Sequence, residues 1–203
     1  MWKNYRLLTY KLRLKRLAAG RSDQISVDKI LWVDPGRIIY SSLKEFDIYK
    51  DKGAVIGGDW DRLEKKFEDL DIYAAFKEKF AEGKNWEDTA FYQRVLNDIE
   101  DGKFLWRCRN KSDLDIRCTN LDSLYQNIKS RGYKSQNELM HKENTRNQLQ
   151  CEDEITVNVG RDGDLLFNNG GHRLAIVKLL GIPRILIKIT VRHPQWVHFR
   201  REI

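Results

Sequence analysis

Two short stretches of this 203-residue chain combine residue types that can do chemistry. The first is Asn168-Asn169-Gly170-Gly171-His172-Arg173, which opens onto the apolar run Leu174 to Leu180. Paired glycines let a backbone approach a ligand closely and adopt positive φ. If a helix starts there, its first amides lack intrahelical acceptors and carry the positive end of the helix dipole, which suits an anion. His172 and Arg173 would add donors, the arginine as a planar fork for phosphate oxygens. The same residues also describe a sharp turn that simply carries a surface histidine and arginine.

The second stretch is Ile56-Gly57-Gly58-Asp59-Trp60-Asp61. Residues two apart in extended chain face the same side, so Asp59 and Asp61 could share a Mg²⁺ ion, which takes one or two carboxylates together with phosphate oxygens. Either could instead serve as general base toward a substrate hydroxyl, with His172 the third candidate catalytic group. The alternative is a helix cap beside a core tryptophan. Trp60 reads as core, with substrate contact as its functional option. Arg161, at a hairpin, could reach a nucleotide or be simply a solvated arginine, and His193, in Arg192-His193-Pro194-Gln195-Trp196, could offer a donor to a substrate or be a surface or satisfied histidine. His172, His193 and His198 do not have HExxH spacing. Cys108, Cys118 and Cys151 are odd in number and lack CxxC spacing, so neither a disulfide framework nor a cysteine zinc site is expected. A cytoplasmic, reducing setting is the expectation.

These residues need elements to position them. Ile25 to Val33 reads as a strand closed by Pro35-Gly36, and Arg37 to Tyr40 as a second. Phe67, Leu70, Tyr73, Phe76 and Phe80 recur at helical steps up to a stop at Gly83. A further helix is expected over about 87–99 and a short strand at Phe104–Trp106. Thr119-x-x-Asp122 resembles a capping box that starts a helix ending at Gly132, and Ser135-x-x-Glu138 another. The polar stretch from His141 to Gln150 reads as a loop. Ile155 to Val159 alternates like a half-buried strand, Asp162-Gly163 signals a type I′ hairpin, and Leu165 to Phe167 returns. A helix follows Gly170-Gly171, is stopped by Gly181 and Pro183, and gives way to a strand from Arg184 to Val191.

That final order (hairpin, glycine turn, helix, Gly-x-Pro, strand) resembles the core of the ParB/sulfiredoxin superfamily. Phe167-Asn-Asn-Gly170-Gly171-His172-Arg173-Leu174 stands where the family's motif opens a helix and binds nucleotide phosphates. With Val27–Val33 and Leu121–Gln136, the likeness spans about 25–40 and 120–192. It implies an α+β fold, a small mixed sheet with flanking helices, in a single domain over 25–203 with a helical insertion at about 62–118. It also implies phosphate binding through Gly170, Gly171, His172 and Arg173, which Arg161 at the hairpin could join. Sulfiredoxins need a cysteine directly before the His-Arg pair; Gly171 stands there, so sulfinic acid reduction is not expected. The short stretch after Val191 gives no expectation of an appended helix-turn-helix domain.

The function expected from this resemblance is an ATP-, ADP- or CTP-dependent phosphotransferase or nucleotide hydrolase, using Mg²⁺ and an unidentified small-molecule acceptor. The alternatives are a non-catalytic nucleotide switch and a basic nucleic-acid-binding or nuclease-like protein. The net charge of +7 is compatible with each. Residues 1–24 read as a basic helix, with seven Lys or Arg and no acid over 1–21. It either packs its leucines on the domain or lies on an anionic membrane or nucleic acid. No apolar run reaches the roughly 18–20 residues of a membrane span.

Overall fold

The computed structural model describes residues 30–136, 138–139 and 154–199. The expected basic helix over 1–24 and the polar loop over 141–150 lie outside them. The described chain is α+β. Its mixed five-stranded sheet comprises β1 (Ile30–Val33), β2 (Ala54–Val55), β3 (Ile155–Val159), β4 (Leu165–Asn169) and β5 (Ile185–Arg192). Strand order is β1-β5-β3-β4, with β2 beside the C-terminal end of β5. β5 runs antiparallel to β1 and parallel to β2 and β3, while β3 and β4 form the antiparallel hairpin. All five residues of β3 are buried, so it is not the half-buried strand its alternation suggests but an interior strand covered on both faces.

The helices among the described residues include α1 (Asp71–Phe76), α2 (Ala90–Glu100), α3 (Lys111–Arg131), α4 (Gly171–Leu179) and α5 (Pro194–Phe199). Ile155, Val157 and Ile187 from the sheet share one buried core with Phe76, Trp86, Tyr92, Leu114 and Leu174. The helical stretch between the strands is thus built into the same core as the sheet. Leu165 and Phe167 pack on this core, whereas Leu166 between them joins Phe46, Trp60 and Val191 in a smaller one, as strand alternation dictates.

Several elements differ from the sequence reading. Arg37–Tyr40 is not a strand: Asp34 caps a 3₁₀ turn at Pro35–Arg37, accepting from Gly36 N at 2.7 Å, and Tyr40 and Ser41 make only single bridges. The aromatic stripe from Phe67 to Phe80 is not one helix. Leu70 is extended, so the stripe is divided among a 3₁₀ turn, α1 and a π turn at Lys77–Ala81. Helix α3 starts at Lys111, well before Thr119, because Asn110 accepts from Asp113 N at 2.9 Å. Thr119 instead donates its hydroxyl back to the Asp115 carbonyl, 3.0 Å away. Phe104–Trp106 is not a strand; Leu105 and Cys108 close a turn with a 2.8 Å hydrogen bond. At the β3–β4 hairpin only Gly163 takes positive φ, and Gly160 N donates to Asp164 O at 3.0 Å. This is a three-residue loop ending in a left-handed glycine, not a type I′ turn. The Ser135–Glu138 capping box is present, with Glu138 Oε2 2.8 Å from both Ser135 N and Oγ.

Candidate functional site

β4 delivers the glycine turn to the start of α4. Gly170 has φ +90°, and a Cβ there would lie 2.9 Å from the Ile155 Cα, so no other residue fits. No side chain caps α4 and its first turn contains no acid. The amides of Gly171, His172 and Arg173 belong to the turn that helical geometry leaves without intrahelical acceptors. Asn169 Oδ1 accepts from Gly170 N at 2.6 Å, fixing the approach to the helix.

The two side chains expected to assist are turned elsewhere. Arg173 is buried and stacked on Tyr133 (4.9 Å to the ring centroid). Its guanidinium pairs with Glu154 at 3.3 Å and donates to the Lys134 carbonyl. It therefore ties α4 to the chain entering β3, and is not a phosphate fork. His172 lies between Phe76 (5.9 Å) and Trp106 (5.3 Å), and its Nε2 is buried with no hydrogen-bond partner among the described residues. Burial, reinforced by the nearby Arg117 charge, pushes its pKa down to about 4, so the imidazole is neutral at pH 7.

At the hairpin loop the second stretch meets Arg161. Asp61, its side chain only 1% exposed, accepts from Arg161 N and from Arg161 Nη2, both at 2.7 Å. Burial raises its carboxyl pKa, but the Arg161 hydrogen bonds outweigh this and hold it below the usual range. Asp59 is exposed and pairs with Arg161 at 2.9 Å and Arg62 at 3.2 Å; the Arg161 bond is the main cause of its lowered pKa. Arg161 thereby clamps the 57–61 loop to the hairpin. Trp60 is a core residue, edge-on to Phe46 at 5.3 Å and donating from Nε1 to the Ile56 carbonyl at 2.9 Å. His193 is buried 6.0 Å from Trp60, its amide donating to the Val159 carbonyl at 2.9 Å.

The structure therefore brings Asp59, Asp61, Arg161, Trp60 and His193 together, but not with Gly170–Arg173. The two groups occupy opposite ends of β4, whose five residues span roughly 15 Å. Among the described residues no three His, Cys, Asp or Glu side chains are grouped to hold a metal. Asp59 and Asp61 are both engaged by arginines. No family model, curated protein or solved structure matches this chain.

Sequence reading missed two features. One is the buried Asn168, which donates to the Phe46 carbonyl (3.0 Å), accepts from Phe46 N (2.9 Å), and meets Asn158 Nδ2 at 3.2 Å. It welds the 38–47 segment to the sheet, and only its place in a strand hinted at this. The other is Arg117, whose guanidinium stacks on Trp106 at 4.5 Å and so adjoins His172 through that ring. Its position on α3 was hidden by the misplaced helix start. No helix among the described residues is long and apolar enough to cross a membrane.

Proposed function

We propose that this chain is a nucleotide-binding protein of ParB/sulfiredoxin-like fold, working in the cytoplasm. The phosphates of ATP, ADP or CTP bind at the amides of Gly171, His172 and Arg173, with Mg²⁺ carried by the nucleotide. The observation that supports this is the uncapped, acid-free N-terminus of α4, opened by a left-handed Gly170 directly after the hairpin. The buried free thiols of Cys108 and Cys118 accord with a reducing compartment.

The same geometry favours a nucleotide-dependent switch over a phosphotransferase or hydrolase acting on a small molecule. Phosphoryl transfer of the kind expected needs a carboxylate at the phosphates, and Asp59 and Asp61 stand at the far end of β4, tied to Arg161. The nucleic-acid-binding and membrane-contact readings rest on residues 1–21 alone.

Calorimetric titration with ATP, ADP and CTP, with and without Mg²⁺, tests the reading when paired with Asn169→Asp. That exposed residue keeps its bond to Gly170 N as an aspartate while placing a negative charge beside the amides. A unit charge about 6 Å from a doubly charged phosphate costs about 1.4 kcal/mol in water-like dielectric, or tenfold in Kd. Wild-type affinity for none of the three nucleotides, or unchanged affinity in the variant, rejects the proposal.

A further inference from the structure

A cavity of about 520 Å³ lies between the 104–109 loop and the first turns of α3. Its wall carries Arg107, Arg109 and Arg117 against a single carboxylate, Asp113, with Phe104 and Ile116 among the apolar lining. The size is within the range of small-molecule sites.

Several features set this cavity apart from an ordinary basic surface. None of the three guanidinium groups pairs with a carboxylate among the described residues, and Asp113 is committed to the Arg109 amide at 2.9 Å. The Arg117 Nε is buried without a hydrogen-bond partner, a state that native proteins avoid unless something else supplies the acceptor. The backbone holding Arg107 is strained: Trp106 and Arg107 take φ of +53° and +63°. Positive φ at both centres of a turn is the type I′ pattern, which favours Asn-Gly, yet the chain places a tryptophan and an arginine there. The turn thereby aims the Arg107 side chain at the cavity's wall and lays the Trp106 ring under Arg117. Burial and the Arg107 charge both lower the Arg117 pKa, the signature of cations gathered without a counter-ion. Phe104 and Ile116 remain 65% and 59% exposed at this site, apolar surface that a ligand would cover.

We infer that this cavity binds a soluble phosphomonoester, its dianionic head held by Arg107, Arg109 and Arg117 and its apolar body lying on Phe104 and Ile116. Guanidinium forks match phosphate oxygens in geometry and charge. The inference does not depend on the nucleotide reading.

Phenyl phosphate is the probe, titrated into the full chain by calorimetry and followed by thermal melting. The variant is Arg107→Gly with Arg109→Ala, which gives the turn the residue its φ favours and removes two exposed side chains. The wild type should bind phenyl phosphate more tightly than inorganic phosphate and melt higher in its presence. The variant should lose at least tenfold in affinity and the ligand-induced rise in Tm, while melting at or above the wild type without ligand. Asn169→Asp should leave phenyl phosphate binding unchanged, which separates this site from the amides of α4. The inference is overturned by wild-type protein that does not bind phenyl phosphate, or by a variant that binds it equally well. Binding solely to vesicles containing phosphatidic acid, or solely to RNA, would overturn it too.

Discussion

Replacing Arg173 with alanine separates its two possible roles, because a phosphate fork and an internal ion pair fail differently. The Glu154 side chain is 1% exposed and that of Arg173 9%, and their charges are 3.3 Å apart. Removing the arginine strands a buried carboxylate, for which about 3–5 kcal/mol is the usual cost. In a domain of this size that lowers Tm by roughly 6–20 °C. Burial raises the Glu154 pKa while Arg173 pulls it down, so without Arg173 the carboxyl takes up a proton more readily. A folded carboxyl with a raised pKa binds more protons than the unfolded one, so stability falls as pH rises through that window. The deficit of Arg173→Ala is therefore larger at pH 7 than at pH 5. Adding Glu154→Gln removes the stranded charge and should recover most of the lost stability. Urea denaturation of both single variants and the double variant, at the two pH values, reads this directly. A normal Tm for Arg173→Ala, with no coupling to Glu154 and complete loss of nucleotide binding, would refute the inward role.

Further outcomes follow from other contacts. His172, held near pKa 4 against an unperturbed 6.5, leaves the unfolded state binding more protons between those values. Stability should thus decline by up to about 3 kcal/mol as pH falls from 6.5 to 4, and His172→Gln should flatten that slope; imidazole NMR titration gives the pKa independently. Asp61→Asn should cost about 1.5–3 kcal/mol by breaking buried charge-assisted hydrogen bonds to Arg161. Asp59→Asn, at an exposed pair, should leave the urea midpoint unchanged. Asn110→Ala should cost about 1 kcal/mol as the true cap of α3, whereas Thr119→Ala should cost no more than a few tenths.

The last third of the fold was legible because its local signals agree: strand alternation at Ile155–Val159, a glycine that only fits at 170, and Gly181 with Pro183 after α4. The aromatic stripe at 67–80 announced burial but not backbone, since 3₁₀, α and π turns all present residues three or four apart. The start of α3 was misread because Thr119-x-x-Asp122 matches the capping-box pattern inside a helix whose cap, Asn110, lies nine residues earlier. Arg161 was foreseen beside a ligand, yet its partners lie about a hundred positions earlier in the chain, a contact that no local pattern encodes. Arg173 looked like a phosphate ligand because its type suits one. Its inward turn depends on Glu154 and Tyr133, which lie outside the motif.

The claim that phosphates dock on α4 is tested most directly by ¹⁵N-amide NMR during titration with Mg²⁺·ATP, ADP and CTP. At least one nucleotide should shift the amides of Gly171, His172 and Arg173 most strongly, with Asp59 and Asp61 little affected. Shifts confined to the 57–61 loop and Arg161, or to the 104–120 cavity, with the α4 amides unmoved, would contradict it.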